Sequence, residues 1–470
     1  MTINSNIPDE VLLEIFDSYR EDIDPYDQWR KQHVWIYLTH VCRRWRAVML
    51  ASSSRLDLGI TIGPQKPGHI KTILSGPLPI FVIYESMFGN IRSARWRMLA
   101  ALKHRDRVRE ISFQRMNAKF DKFFKETQCA FPILESLSLS FTDGYKPNLP
   151  DTFLGGPDLY NLHLRRLKLE NTTLASISRF LSSATALTDL SLRIDIGFHP
   201  SAEMPEMSLL ACLQGMPCLY SLNLSLTNYS TSQPPTHKNI VILSKLTHLY
   251  YTGFGVWLDV LVAGISAPSL RNVDFKFSQP YYNTGPLLPP VLHLPRFISE
   301  IEEYYPAIHV VFTEFSYCLS LLTQSEYISH CKPRFNFGPV SRNSQEPTLI
   351  QMSNTLSTRL TSVDKLRLTF GRTNARNWDV IPLRRLLQLL PSVKALQTES
   401  KNNYFIARVL KKLEGPDDNL ALLPALEEIE LAKDESRTAE SQRRDQLAVF
   451  EPLVSARQQA GRTVKVFFGP

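Results

Sequence analysis

Apolar residues at Ile7, Val11, Leu12, Ile15, Phe16 and Tyr19 recur with the 3.6-residue period of a helix face. Pro8 suits the first helical position, where its missing N–H has no partner to lose. Asp9 and Glu10 follow in the first turn, where the helix dipole favours negative charge. A second periodic run, VWIYLTHVCRRWRAVML, predicts a helix with Trp35, Leu38, Val41, Cys42, Trp45, Val48 and Met49 on one face. Arg43, Arg44 and Arg46 fall on the other. Two helices within about fifty residues enclose too little surface to cover both apolar faces, so a further surface must complete them.

Beyond residue 55 the period changes. An apolar residue, two others, an apolar, one other and an apolar recur from Val108, Leu134, Leu164, Leu187, Leu219, Leu246 and Leu270, then from Val363, Val393 and Leu426. Alternation of this kind predicts short strands. Successive starts lie 26, 30, 23, 32, 27 and 24 residues apart, then 93, then 30 and 33. Helix-like pieces such as TLASISRFLSSAT and LRRLLQLLPSV lie between them. A proline two residues ahead announces several strands (FPILESLSL, MPCLYSLNL, APSLRNVDF, LPALEEIEL), ending the preceding helix. Such a unit cannot cover its own leucines, so neighbours must stack into one core. RLDLGITI and PIFVIYE predict two earlier strands.

The regularity breaks between 279 and 350. QPYYNTGPLLPP reads as a loop, RFISEIEEYY as a helix, AIHVVFTEF as a strand and FNFGPVSRNSQEPT as a second loop. This region is expected to hold irregular repeats with loop insertions around 279–294 and 332–350, not a separate domain.

The opening residues resemble an F-box. Its pattern is Leu-Pro-x-Glu-x-Leu-x-x-Ile-Phe, then an apolar residue before Val-Cys-x-x-Trp. Here Pro8, Glu10, Leu12, Ile15 and Phe16 match the first half, with Ile7 in place of leucine, and Leu38, Val41, Cys42, Arg44 and Trp45 match the second. The intervening DIDPYDQWRKQHVW is longer than a compact F-box needs. The later units resemble the leucine-rich pattern LxxLxLxxN in degenerate form, with Asn171 one residue early. Together these resemblances imply an all-α F-box at 5–51. An irregular leucine-rich-repeat-like α/β solenoid with one curved parallel sheet follows at 56–470.

The F-box resemblance implies docking on the small adaptor subunit of an SCF-type cullin–RING ubiquitin ligase, and through it on a cullin. Ile7, Pro8, Leu12, Ile15, Phe16, Leu38, Val41, Cys42 and Trp45 would then form the adaptor surface. The repeat resemblance implies that residues between the paired strand leucines face a protein target. They are Ser138, Lys168, Ser191, Asn223, Tyr250, Asp274, Arg367, Gln397 and Glu430.

Charge adds one rival. Eleven Lys or Arg against three acids between Arg92 and Lys125 carry the net +8 of the whole chain. Trp96, Phe113, Phe120, Phe123 and Phe124 are interleaved, as on a nucleic-acid surface. The other readings are core aromatics with solvated cations, or a patch for an acidic partner. A solenoid scaffold or nucleic-acid binder using 92–125, with the N-terminal helices as a cap, is therefore the alternative; nucleic acid is not the expected partner.

Catalytic motifs are missing: no GxSxG, GxxxxGK[ST] or HExxH occurs, and no GxGxxG opens a helix. The six cysteines show no repeated CxxC and read as reduced residues, with no zinc site, metal or cofactor expected. Asp9, Glu10 and Glu14 argue against a secretory signal, and no run of about 18 apolar residues predicts a membrane span. The expectation is a non-enzymatic cytoplasmic or nuclear interaction protein.

Overall fold

The structure, a computed structural model, describes residues 7–21, 38–52, 60–62, 78–84, 91–117, 121–142, 145, 149, 152–154, 163–172, 174–195, 205–227, 240–253, 255–277, 293–299, 307–312, 317–322, 334–337, 356, 360–370, 380–399, 403–411, 422–432 and 440–468. The chain divides into two compact units, Met1–Leu192 and Arg193–Pro470.

The first unit opens with helices Asp9–Glu21 and Arg43–Ala51. Strands β1 (Ile60–Ile62), β2 (Ile80–Tyr84), β3 (Val108–Met116), β4 (Ser136–Phe141), β5 (Arg166–Thr172) and β6 (Asp189–Asp195) follow, neighbours in that order, and the unit boundary falls within β6. Pairing is parallel from β1 through β5. In β4 the alternation is literal: Leu137, Leu139 and Phe141 are buried, whereas Ser136, Ser138 and Ser140 are half-exposed.

In the second unit the strands are β7 (Ser221–Thr227), β8 (Val241–Ile242), β9 (His248–Gly253), β10 (Ile265–Ser266), β11 (Asn272–Phe277), β12 (Ala307–Phe312), β13 (Tyr317–Leu322), β14 (Arg334–Phe337), β15 (Lys365–Phe370), β16 (Ala395–Glu399), β17 (Glu428–Ala432) and β18 (Lys465–Phe468). Its main sheet runs β7-β9-β11-β14-β13-β12-β15-β16-β17-β18, and β8 pairs with β10 apart from it.

All ten recurrences are strands, and RLDLGITI and PIFVIYE contain β1 and β2. The prolines ahead of them sit inside turns. The N–H of Leu134 bonds to Phe131 O (3.1 Å), Leu219 to Met216 O (3.2 Å), Leu270 to Ala267 O (3.1 Å) and Leu426 to Leu423 O (3.1 Å). Proline is then the second residue of each turn, where its fixed φ fits. Each strand entry also clips onto the preceding repeat: Arg165 and Arg166 N–H share Glu135 O, and Thr247 and His248 N–H share Tyr220 O. Asn171, displaced from the repeat pattern, has φ +60° and donates from Nδ2 to Phe141 O at 2.7 Å. It bonds one repeat to the next despite the shift.

Two expectations are corrected. The sheet is not wholly parallel, because β13 runs antiparallel to both β12 and β14. The four residues between β12 and β13 can only return the chain alongside itself, since a parallel crossover needs a dozen or more. The second reversal restores direction, so β14 lies parallel to β11 and β12 parallel to β15. The second correction is that Arg334–Phe337, expected as loop, is a strand. The rest of 332–350, and 279–294 apart from His293 and Leu294, lie outside the described residues. Helix Leu294–Ser299 starts ahead of the expected RFISEIEEYY segment, and His293 holds its start by donating N–H to Asp259 Oδ1 at 2.8 Å.

At the C-terminus, helix Glu451–Gln459 closes the last repeats. Its Arg457, 5% exposed, donates from Nη2 to Leu422 O (2.7 Å) and Leu423 O (3.1 Å). Burial lowers this guanidinium's pKa, and the charge of Arg462 lowers it further. No helix among the described residues is long and apolar enough to cross a membrane.

Candidate interaction surfaces

The N-terminal apolar face divides into two rows. Leu12, Leu13 and Phe16 are buried with Leu38, Val48, Met49 and Leu78, and Ile7 and Trp45 pack against them half-buried. Arg107 fixes Leu78 in this cluster by donating to its carbonyl from Nε (3.0 Å) and Nη2 (2.7 Å). Another guanidinium ties the helices together: Arg44 donates to Ile7 O and pairs with Asp9 Oδ1 at 2.7 Å. The second row, Val11, Ile15 and Tyr19, stays 42%, 41% and 48% exposed.

The expected continuous helix through Leu38–Met49 is interrupted. Leu38–Val41 closes a turn, with Val41 N–H on Leu38 O. Cys42 is extended and caps the following helix, its Sγ accepting the N–H of Trp45 at 3.4 Å. A new helix begins there, and Val41 is left 53% exposed, as is Leu50 at 42%. Trp29 and Trp35 lie outside the described residues.

The nine expected adaptor residues therefore do not form one surface. Leu12, Phe16 and Leu38 are sealed by their own chain, which corrects the expectation that a partner covers them. The reason is geometric: Val48, Met49 and Leu78 already fill the space against that row. Ile15, Val41 and Pro8 are exposed; Ile7, Cys42 and Trp45 are half-buried. Val11, Tyr19 and Leu50 extend the exposed apolar set. Spacing of four residues along the helix could have separated the outer row from the inner one.

On the sheets, alternation places the expected target-facing residues away from the leucines. Ser112, Ser138 and Lys168 stand opposite one another across β3–β5, and Ser191 is half-buried on β6. In the second unit one row runs Asn223, Tyr250, Asp274, Arg334. Another runs His309, Arg367, Gln397, Glu430, Phe467. Ser112, Arg334, His309 and Phe467 complete rows that sequence alone left short, because strand order decides them. Tyr220 and His248 are also new: their rings lie 4.9 Å apart, with Tyr250 6.4 Å beyond His248. Tyr220 is 47% and Tyr250 36% exposed, and exposed tyrosines are favoured contact residues at interfaces.

The basic block breaks up. Phe113, Phe123 and Phe124 are core, Arg97 is buried, Arg107 holds Leu78, and Arg109 pairs with Glu135 at 2.8 Å. Trp96 is the exposed aromatic, and Phe120 lies outside the described residues. Among the described residues no group of three or more His, Cys, Asp or Glu is placed to hold a metal.

No family model and no curated protein matches the chain. Among solved structures it is similar to TLR13 in the TLR13-ssRNA13 complex, at 12% identity and a TM-score of 0.27, over 79% of this chain and 41% of that one. The chain thus spans less than half of TLR13. It is also similar to the leucine-rich repeat-containing protein LegL7 from Legionella pneumophila, at 14% identity and a TM-score of 0.26, over 76% of this chain and 91% of that one. Superpositions this loose place no site and name no partner. The strand register itself establishes the architecture: an α/β repeat whose leucines point inward and whose polar residues form rows on the open strand faces.

Proposed function

We propose that the chain is the target-recognition subunit of an SCF-type cullin–RING ubiquitin ligase. The N-terminal helices dock on the small adaptor subunit and through it on the cullin, while the open strand faces hold a protein target. Ubiquitin transfer takes place on other subunits, and this chain contributes proximity.

The observation that carries the reading is the outer row Val11, Ile15 and Tyr19, on a helix whose inner row is already satisfied. A helix of 13 residues with a second apolar row exposed has surface to give to a partner. Covering each side chain contributes roughly 1 kcal/mol at about 25 cal/mol per Å². Val41, in the turn ahead of helix Arg43–Ala51, and Leu50 on that helix add to it.

The test is capture of purified adaptor subunit by the parent and by Ile15→Asp plus Val41→Asp. Both residues are exposed, so the variant should keep the parent's melting temperature and lose capture. Failure of the parent to bind the adaptor would sink the proposal. A second reading, in which the helices only cap the repeats of a scaffold, draws support from Leu78. This residue, from the turn before β2, joins the helical core. On that reading the parent captures no adaptor.

A further inference from the structure

The three strands β15, β16 and β17 carry an ordered charge gradient. In one open-face row Lys365, Ala395 and Glu428 stand opposite one another, and in the next Arg367, Gln397 and Glu430. Both rows read cation, neutral, anion in the same direction. Leu366, Leu368, Leu396, Thr398, Ile429 and Leu431 alternate with them and are buried, so the six belong to the open face.

Two groups in the second row have unused bonding capacity. Arg367 is half-buried, yet no described residue hydrogen-bonds or ion-pairs with its side chain. Gln397 donates from Nε2 to Glu430 Oε1 at 3.3 Å, which orients the amide, and its Oε1 is enclosed with no donor among the described residues. A guanidinium without an anion and a carbonyl oxygen without a donor are both costly to withdraw from water.

The geometry points to an occupant: an extended segment of the protein target, lying across β15–β17 with an acidic side chain over Arg367 and a basic one over Glu430. This assignment rests on reading the open face as the target-binding face. Adjacent strands lie about 4.8 Å apart, so the backbone positions that carry the two charges stand roughly 9.6 Å apart. A polyproline II segment advances about 3.1 Å per residue and repeats its face every third residue, giving roughly 9.3 Å between i and i+3. A β-strand repeats its face every second residue, at about 6.6 or 13 Å, and misses that spacing. A helix keeps its N–H groups to itself, whereas a polyproline II segment leaves the N–H of its basic residue, placed beside Gln397, free for Gln397 Oε1 once the amide turns from Glu430. The chemistry recognised is therefore an acid and a base three residues apart, in either chain direction.

The probes are proline-rich peptides with Asp-Pro-Pro-Arg at the centre, with Asp-Pro-Arg or Asp-Pro-Pro-Pro-Arg as spacing controls, and with Asp-Pro-Pro-Asp and Arg-Pro-Pro-Arg as charge controls. Binding to the full chain is followed by titration calorimetry without adaptor. The parent should favour Asp-Pro-Pro-Arg by about tenfold, the loss expected for one charge-assisted bond. Lys365→Glu plus Arg367→Glu should transfer the preference to Arg-Pro-Pro-Arg, and Glu428→Lys plus Glu430→Lys to Asp-Pro-Pro-Asp, with unchanged melting temperatures. Equal binding of all peptides, no binding of any, or a preference that ignores the charge swaps would overturn the assignment. Adaptor capture by the same preparations separates the two ideas: capture without peptide discrimination removes this assignment and leaves the receptor reading standing.

Discussion

Phe16 and Trp45 meet edge to face, their ring centroids 5.0 Å apart and the planes inclined by 63°. The contact joins helix Asp9–Glu21 to helix Arg43–Ala51, with Phe16 2% exposed beneath it. Such pairs contribute about 0.5–1.5 kcal/mol beyond burial. A double-mutant cycle with Phe16→Leu and Trp45→Leu should return a coupling of about that size in urea unfolding. Coupling near zero would show that the rings only share a wall of the core. The indole Nε1–H is enclosed without an acceptor among the described residues. Trp45→Phe removes that unsatisfied donor, so it should cost less than Trp45→Leu.

The two apolar rows of the first helix should respond oppositely to the same substitution. Leu12→Asp places a carboxylate where the side chain is fully buried and should destabilise the first unit by more than about 3 kcal/mol. Ile15→Asp, three residues further along the helix and 41% exposed, should stay within about 0.5 kcal/mol of the parent. Denaturant midpoints read the difference directly. Similar losses in both would mean that the outer row is also covered by the chain.

How far the sequence reveals these features depends on how local the cause is. The alternation of Leu137 and Leu139, or Leu366 and Leu368, announces β4 and β15 because period two is a property of the strand itself. The reversal at β13 is different: YCLSLL has no polar alternation to distinguish antiparallel from parallel pairing, and direction is decided by the four-residue connection before it. β18 carries no such signal, because KVFF is four residues long and exposes Lys465 and Phe467, so no core pattern marks it. At the N-terminus, periodicity identified which residues are apolar, but not that Leu78, some sixty residues on, would seal one row and leave the other. Val41 moved off the expected face because Cys42 acts as a helix cap, a role the apolar period conceals.

Asn171 combines two functions that substitution can separate. Its φ of +60° disfavours most residues other than glycine and asparagine, and its Nδ2 bonds the preceding repeat at Phe141 O. Asn171→Gly keeps the backbone conformation and loses the bond, at an expected cost of about 1 kcal/mol. Asn171→Ala loses both, at about 2–3 kcal/mol. If thermal melts order the two variants the other way, backbone strain is not what selects asparagine here.

Arg457 makes the C-terminal repeats depend on a buried charge. Its guanidinium bonds Leu422 O and Leu423 O, and Leu423 itself has φ +46°, a conformation that needs outside support in a non-glycine residue. Arg457→Met fills similar volume but leaves those carbonyls without their donors, so about 2–4 kcal/mol should be lost. Arg457→Lys retains the charge without the fork that spans two carbonyls, and should fall between parent and Met. Amide exchange should quicken first at Leu426 and at Ile429 of β17, because the Leu423–Leu426 turn sets the entry of that strand. Exchange unchanged there while global stability falls would place the cost elsewhere in helix Glu451–Gln459.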